Sequence, residues 1–233
     1  MANNNNNKKR VRLTSPQGVA KYPWLNKADT KFDPNGVFRV SLLFNPEEVE
    51  EFLKRLDEMA DEAYEETKEK LIKKGNKLAA KNLERHPPYK MEMDKETAEE
   101  TGKVEVKFKM KHFIKLDDGN EIELTPQLFD AKGQPVDRDE VNVYGGSILR
   151  INFTPRKYYV PGQKMTGVSL YLNAVQIIDL ANRGGDADYY GFDLEEEGFD
   201  ASGDEDEGFE GTDEDSSNND ADSDDFDVDK EDF

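Results

Sequence analysis

Residues Lys103–Leu116, KVEVKFKMKHFIKL, decide the fold. Their period is two. Val104, Val106, Phe108, Met110, His112, Ile114 and Leu116 share one face, while Lys103, Glu105, Lys107, Lys109, Lys111, Phe113 and Lys115 share the other. An apolar face opposite a cationic one describes a β-strand that covers a core on one side and meets water on the other. Alternate lysines stand about 6–7 Å apart on such a strand. That spacing resembles the repeat of a nucleic-acid backbone, and Phe113 among them offers a ring on which a base can stack. The same stripe also suits a solvated edge, where Lys deters edge-to-edge pairing.

Further strands flank this one. Val11–Leu13 and Gly18–Tyr22 are short candidates separated by Ser15-Pro16, and the turn Asp33-Pro34-Asn35-Gly36 leads into the alternating run Val37–Phe44. Asp117-Asp118-Gly119-Asn120 is a hairpin turn into Glu121–Phe129. Val141–Thr154 reads as a strand interrupted at Gly145-Gly146, Arg156–Lys164 as a hairpin loop, and Met165–Leu180 as a long last strand. One helix is written clearly. Asn45 suits an N-cap, Pro46 the first helical position, and Val49, Phe52, Leu53, Leu56, Met59, Ala60, Ala63 and Tyr64 recur at helical spacing. Its charged face is most simply solvated, and Gly75 and His86-Pro87-Pro88 stop it. Five or six strands with one long helix between early ones predict a mainly β fold, a small closed barrel with the helix packed against it.

Charge is divided unevenly. Asp186–Phe233 holds 23 acidic residues against Lys230 alone, and removing these from the 52 acidic and 32 basic residues of the chain leaves 29 acidic and 31 basic for the rest. The polyanion is therefore an appendage on a balanced or locally basic body. Its Asp, Glu, Gly and Ser cannot bury enough apolar surface to offset ordering entropy, so residues 186–233 are predicted to be a disordered tail. Met1–Arg10 reads as a flexible basic start, and residues 11–185 as the folded domain. Such a tail can reach a groove on its own domain at an effective concentration on the order of mM and compete there with nucleic acid. Phe226 and the terminal Glu231-Asp232-Phe233 are candidate anchors for partner proteins.

Several chemistries are absent from the sequence. Without Cys there is no disulfide, no Cys-ligated metal and no thiol catalysis, and no phosphate-cradling glycine loop, nucleophile elbow or spaced His–Glu zinc pattern occurs. No apolar run approaches the roughly 20 residues that span a bilayer. A non-enzymatic, intracellular protein without cofactor or metal is expected. The remaining binding candidates combine cations with rings: Arg156-Lys157-Tyr158-Tyr159, Tyr22 and Trp24 near Lys21 and Lys27, and Arg39 and Arg150 on polar strand faces. A Tyr pair packed on a barrel rim, or a core Trp24, fits the same residues. No recognition helix with one basic face is evident, which favours single strands over duplex.

In order along the chain, Pro34-Asn35-Gly36-Val37-Phe38-Arg39-Val40, Lys107-Phe108-Lys109, Gly145-Gly146-Ser147 with the run to Pro155, Lys157-Tyr158, Gly184-Gly185 and the ending Glu231-Asp232-Phe233 resemble the single-stranded DNA-binding proteins of T7-like short-tailed bacteriophages. The resemblance implies an OB-fold with a long helix, DNA contact at Lys157 and Tyr158, and a tail that mediates dimerisation and binds the replicative DNA polymerase and helicase/primase. It implies work in phage replication, recombination and repair in the cytoplasm of the infected host. The Asn-rich start departs from the family, and Arg156 stands where an aromatic is expected. The alternatives are an acidic-tailed chaperone or DNA-mimic protein that binds basic partners, and an RNA-binding OB protein.

Overall fold

The computed structural model describes residues 11–95, 97–116 and 119–181. The predicted basic start and the acidic tail lie outside them. Eleven strands are present among these residues: β1 Leu13–Thr14, β2 Gly18–Asp29, β3 Val37–Phe44, β4 Glu84–His86, β5 Tyr89–Met93, β6 Glu100–Lys111, β7 Phe113–Lys115, β8 Glu121–Glu123, β9 Gln127–Phe129, β10 Ile148–Val160 and β11 Met165–Asp179. Two helices, α1 Glu50–Lys73 and α2 Lys77–Lys81, lie between β3 and β4.

Alternation in β6 does what its sequence demands. Val104, Val106, Phe108 and Met110 are buried, and Lys107, Lys109 and Lys111 are exposed. On one side β6 pairs antiparallel with β3, from Val37↔Lys111 to Phe44↔Val104. On the other it meets β11 in parallel, at Leu170↔Phe108 and Tyr171↔Lys109. β11 runs antiparallel to β10, β10 pairs with β2, and β2 with β3, so five strands close on themselves in the order β2-β3-β6-β11-β10. Numbered along the barrel this is 1-2-3-5-4-1, an OB-fold, here with α1 inserted between barrel strands two and three.

α1 lies against β10 and β11. Leu56, Ala60, Ala63 and Leu71 form its buried stripe, and the small Ala60 and Ala63 let it approach the barrel closely. Aromatic edges join helix to core. Phe52 meets Phe44 at 5.8 Å and Phe153 at 6.2 Å between centroids, and Phe153 meets Phe108 at 5.3 Å. Gly75, at φ +76°, closes the helix, its N–H donating to Ile72 and the following Asn76 N–H to Leu71.

Four local expectations are corrected. Asn45 makes no side-chain cap: Pro46–Glu48 form a 3₁₀ turn, and α1 starts at Glu50. The strand from Lys103 stops at Lys111, because its partner β3 begins only at Val37 after the turn at Gly36. Beyond that bend β7 pairs with β8 as a separate two-stranded sheet. Val141–Gly146 is not a strand. Asn26 takes the place of a ladder partner there, donating to the Arg138 and Val141 carbonyls and accepting from the Val143 N–H. Arg156–Val160 belong to β10, in register from Arg156↔Ser169 to Val160↔Met165, and only Pro161–Gln163 turn. The aromatic and β-branched run Tyr158-Tyr159-Val160 favours pleated strand over loop.

Phe153 is fully buried where helix and barrel meet. Phe153→Ala is expected to lower unfolding free energy by about 3–5 kcal/mol, read as a fall in the urea midpoint.

Candidate nucleic-acid interface

The outer face of β3 and β6 collects the cations. A single row crosses four strands by register alone: Trp24 on β2 faces Arg39 on β3, Arg39 faces Lys109 on β6, and Lys109 faces Tyr171 on β11. Arg156 adds a second layer, its guanidinium 3.9 Å from the Tyr171 ring centroid. Arg39 is held by Asp29 at 2.5 Å, a carboxylate only 5% exposed whose other oxygen accepts the Lys31 N–H. The Arg39 Nε is buried with no hydrogen-bond partner among the described residues.

Lys107, Lys109 and Lys111 make no ion pair within 4.0 Å among the described residues. The concave wall desolvates Lys107, and Arg39 and Lys109 repel its charge, so its pKa lies below the ordinary lysine value. Tyr158 faces the same depression, directly opposite Gly167. A Cβ at Gly167 would lie 3.0 Å from the Tyr158 hydroxyl and 2.7 Å from the His86 carbonyl, so only glycine admits both neighbours. Burial raises the Tyr158 pKa.

One end of the face carries carboxylates. Glu92 accepts from Lys21 at 2.7 Å and from Thr101 at 2.8 Å. Glu105 accepts from Ser41 at 2.8 Å, with Lys90 at 3.4 Å. The hydrogen bond to Glu92 holds Lys21 above its usual pKa and holds Glu92 below its own. Tyr22, half-exposed at φ +49°, has Lys95 at 4.7 Å and Lys21 at 5.6 Å from its ring.

A family model described as single-stranded DNA-binding protein, bacteriophage T7, matches residues 17–180, opening just before β2 and closing just after β11. The chain belongs to this family. The fold agrees. The crystal structure of gp2.5, a single-stranded DNA-binding protein encoded by bacteriophage T7, is similar at a TM-score of 0.61 and 23% identity, over 83% of this chain and 100% of that one. The single-stranded DNA-binding protein from bacteriophage Enc34, in complex with ssDNA, is similar at 0.48 and 15% identity, over 73% and 88%. No curated protein matches the chain.

In this phage single-stranded DNA-binding protein, some residues singled out by sequence stand apart from the row. Alternation along β10 turns Lys157 and Tyr159 away from Arg156 and Tyr158. Lys157 is gripped by Glu62 at 3.0 Å and Glu66 at 2.5 Å, and Tyr159 packs with Leu71, Ala80 and Leu83 beneath α1. The charged face of α1 is thus partly engaged, not simply solvated: Asp57 and Asp61 also hold Arg85 at 2.6 and 2.5 Å. Phe113 sits in the β7–β8 hairpin with its ring 4.2 Å from that of His112. Arg150 pairs with Gln176, five positions along β11 from Tyr171 and so roughly 16 Å away, and lines a separate depression with Phe129 and Thr14. Phe226, Glu231, Asp232 and Phe233 lie outside the described residues.

Other residues escaped the sequence reading. Tyr171 was legible, since Ser169, Tyr171 and Asn173 alternate outward. Tyr89 and Lys90 follow Pro87-Pro88 with no periodic signal. The Tyr89 hydroxyl donates to Asp57 at 2.7 Å, and burial together with that carboxylate pushes its pKa up to about 12. Phe32, 79% exposed with Lys31 Nζ 5.4 Å from its ring, projects from the loop between barrel strands one and two. In OB-folds that loop borders the oligonucleotide-binding face.

Lys157 is desolvated, which alone would lower its pKa, but the Glu66 and Glu62 hydrogen bonds outweigh this and raise it. Glu66 is lowered in return, chiefly by Lys157. A depressed carboxyl contributes stability above its ordinary value near 4.5 and loses it as pH falls through the depressed value. Lys157→Glu should therefore lower the urea midpoint at neutral pH by an amount equivalent to about 1 kcal/mol or less. Adding Glu66→Lys should recover part of that loss, and the difference should fade on acidification below the ordinary carboxyl range.

Proposed function

We propose that this family member is a non-enzymatic protein of phage DNA replication, recombination and repair that binds single-stranded DNA without strong sequence preference in the cytoplasm of the infected host. The observation that carries this reading is the Trp24–Arg39–Lys109–Tyr171 row, flanked by Lys107, Lys111, Arg156 and Tyr158 on one face of a closed barrel. Cations at strand spacing meet phosphates, and Tyr158, Trp24 and Tyr22 offer faces to bases whose sequence they do not read. We assign exposed Phe32, in the loop between barrel strands one and two, to the same path. Phe113, Arg150, Lys157 and Tyr159 are not needed for this path. The cations lie on a pleated surface and not along a protruding helix, which suits an unpaired strand better than a duplex groove.

The tail, residues 186–233, has the charge of a nucleic-acid mimic and competes for this face from within the same chain. Displaced by DNA, it is free to engage a replicative polymerase, a helicase/primase or a second copy through Phe226, Glu231, Asp232 and Phe233.

Replacing Lys107, Lys109 and Lys111 with Ala should weaken oligo-dT binding and reduce the magnitude of the log–log salt slope by about 2, since each phosphate contact on a single strand contributes about 0.7. Fluorescence anisotropy at several salt concentrations reads both; an unchanged slope would show that these lysines do not meet phosphate. Deleting residues 186–233 should tighten oligo-dT binding and abolish capture of the polymerase. Equal affinity with and without the tail would remove the competition.

A further inference from the structure

The barrel wall is thin where β6 meets β11. β6 and β11 pair only at Leu170↔Phe108 and Tyr171↔Lys109. Before that point β11 is partnered by β4, at Met165–Gly167, and β6 is partnered by β5, from Tyr89↔Val106. The joint between β4 and β5 is Pro87-Pro88, two residues with no N–H to give a ladder. The strands diverge around it and leave a depression of about 650 Å³ lined in part by Val168 and Leu170, residues of the barrel core only 5% and 3% exposed. Its size falls within the range of about 300–1,000 Å³ typical of small-ligand sites.

The chemistry of the walls is graded. Val168, Leu170 and Pro88 are apolar, and Tyr158 supplies a ring. Lys90, Lys107 and Lys109 also line the depression. Glu105 lines it as well, 8% exposed, hydrogen-bonded to Ser41 and balanced only at 3.4 and 3.7 Å by Lys90 and Lys21. A phosphate pushed inward would meet that carboxylate in a poorly solvated setting. A flat, uncharged ring with polar edges meets no such barrier.

We propose that this seam is a socket for one unstacked nucleobase: the base enters between Tyr158 and the Pro87-Pro88 joint while its flanking phosphates stay on Lys90, Lys107 and Lys109. This rests on the single-stranded DNA reading and deepens it. The strand is not only draped across the face but pinned at one nucleotide, with the strap from Glu84 to Met93 forming one wall. Arg85, held by Asp57 and Asp61, and Tyr89, held by Asp57, fasten that strap to α1, so the socket is preformed.

The test uses the full chain with oligo-dT carrying single 5-iododeoxyuridine substitutions, irradiated, digested and mapped by mass spectrometry. Cross-links at Tyr158, Tyr89 or His86 are expected. Retention of the oligomer with cross-links confined to Tyr22, Trp24 or Phe32 would overturn the socket while leaving single-strand binding intact. Failure of the unaltered protein to retain the oligomer at all would sink both. Independently, Ser169→Trp, which fills the depression from the outer face of β11, should weaken oligo-dT binding about 5- to 150-fold, the worth of one stacked base. Ser169→Ala should not. Wild-type affinity in Ser169→Trp would overturn the proposal. If that variant does not fold, the cross-link map on the unaltered chain decides.

Discussion

Two residue pairs close this barrel between β6 and β11, as two more, Ile148↔Val19 and Leu149↔Gly18, close it between β10 and β2. Leu170↔Phe108 and Tyr171↔Lys109 are the whole parallel contact between β6 and β11, and the rest of the architecture follows from it. Closure leaves five strands with only an inside and an outside, so every second side chain is committed to the core and every other one to the outer face. Phe108 and Leu170 go inward, to the cluster that holds Phe153 and, through it, α1. Lys109 and Tyr171 go outward, which brings a cation of barrel strand three beside a ring of barrel strand five. The brevity of the contact also opens the seam beside it.

Much of this was legible. Residues 103–111 could be read directly, because a strand that is apolar on one side and cationic on the other has few alternative fates. α1 was equally plain from its 3.6-residue stripe. The misread segments share a cause: their partners are remote. Asn26 satisfies the backbone around Val141 from more than a hundred residues away, and no local pattern shows a side chain standing in for a strand. The end of β6 was set by where β3 begins. In Arg156–Lys164, Pro161-Gly162 gave a true turn signal, but its extent depended on the ladder with β11.

The candidate site was legible in kind and less so in membership. Composition near a strand marks cations and rings, yet only the pleat decides which of four consecutive residues share a side. It separates Arg156 and Tyr158 from Lys157 and Tyr159, and spends Lys157 on Glu62 and Glu66. The carboxylates were harder to foresee. Glu92 and Glu105 lie within a face whose formal character is basic, where they hold Lys21 and Lys90 in place and so shape the field. A stripe of lysines read from sequence gives the sign of a surface and not its local pattern.

The placement of α1 has a consequence for how the molecule comes into being. It separates β3 from β6, so the pairing of Val37 with Lys111 spans more than seventy residues, and β2 must find β10 across a still longer interval. Such remote pairing makes assembly slow compared with the local β10–β11 hairpin. On the ribosome β11 emerges after every strand it pairs with among the described residues: β4, β6, β9 and β10. Until β11 arrives the barrel cannot close, and the row that ends at Tyr171 stays unfinished while the chain is being made.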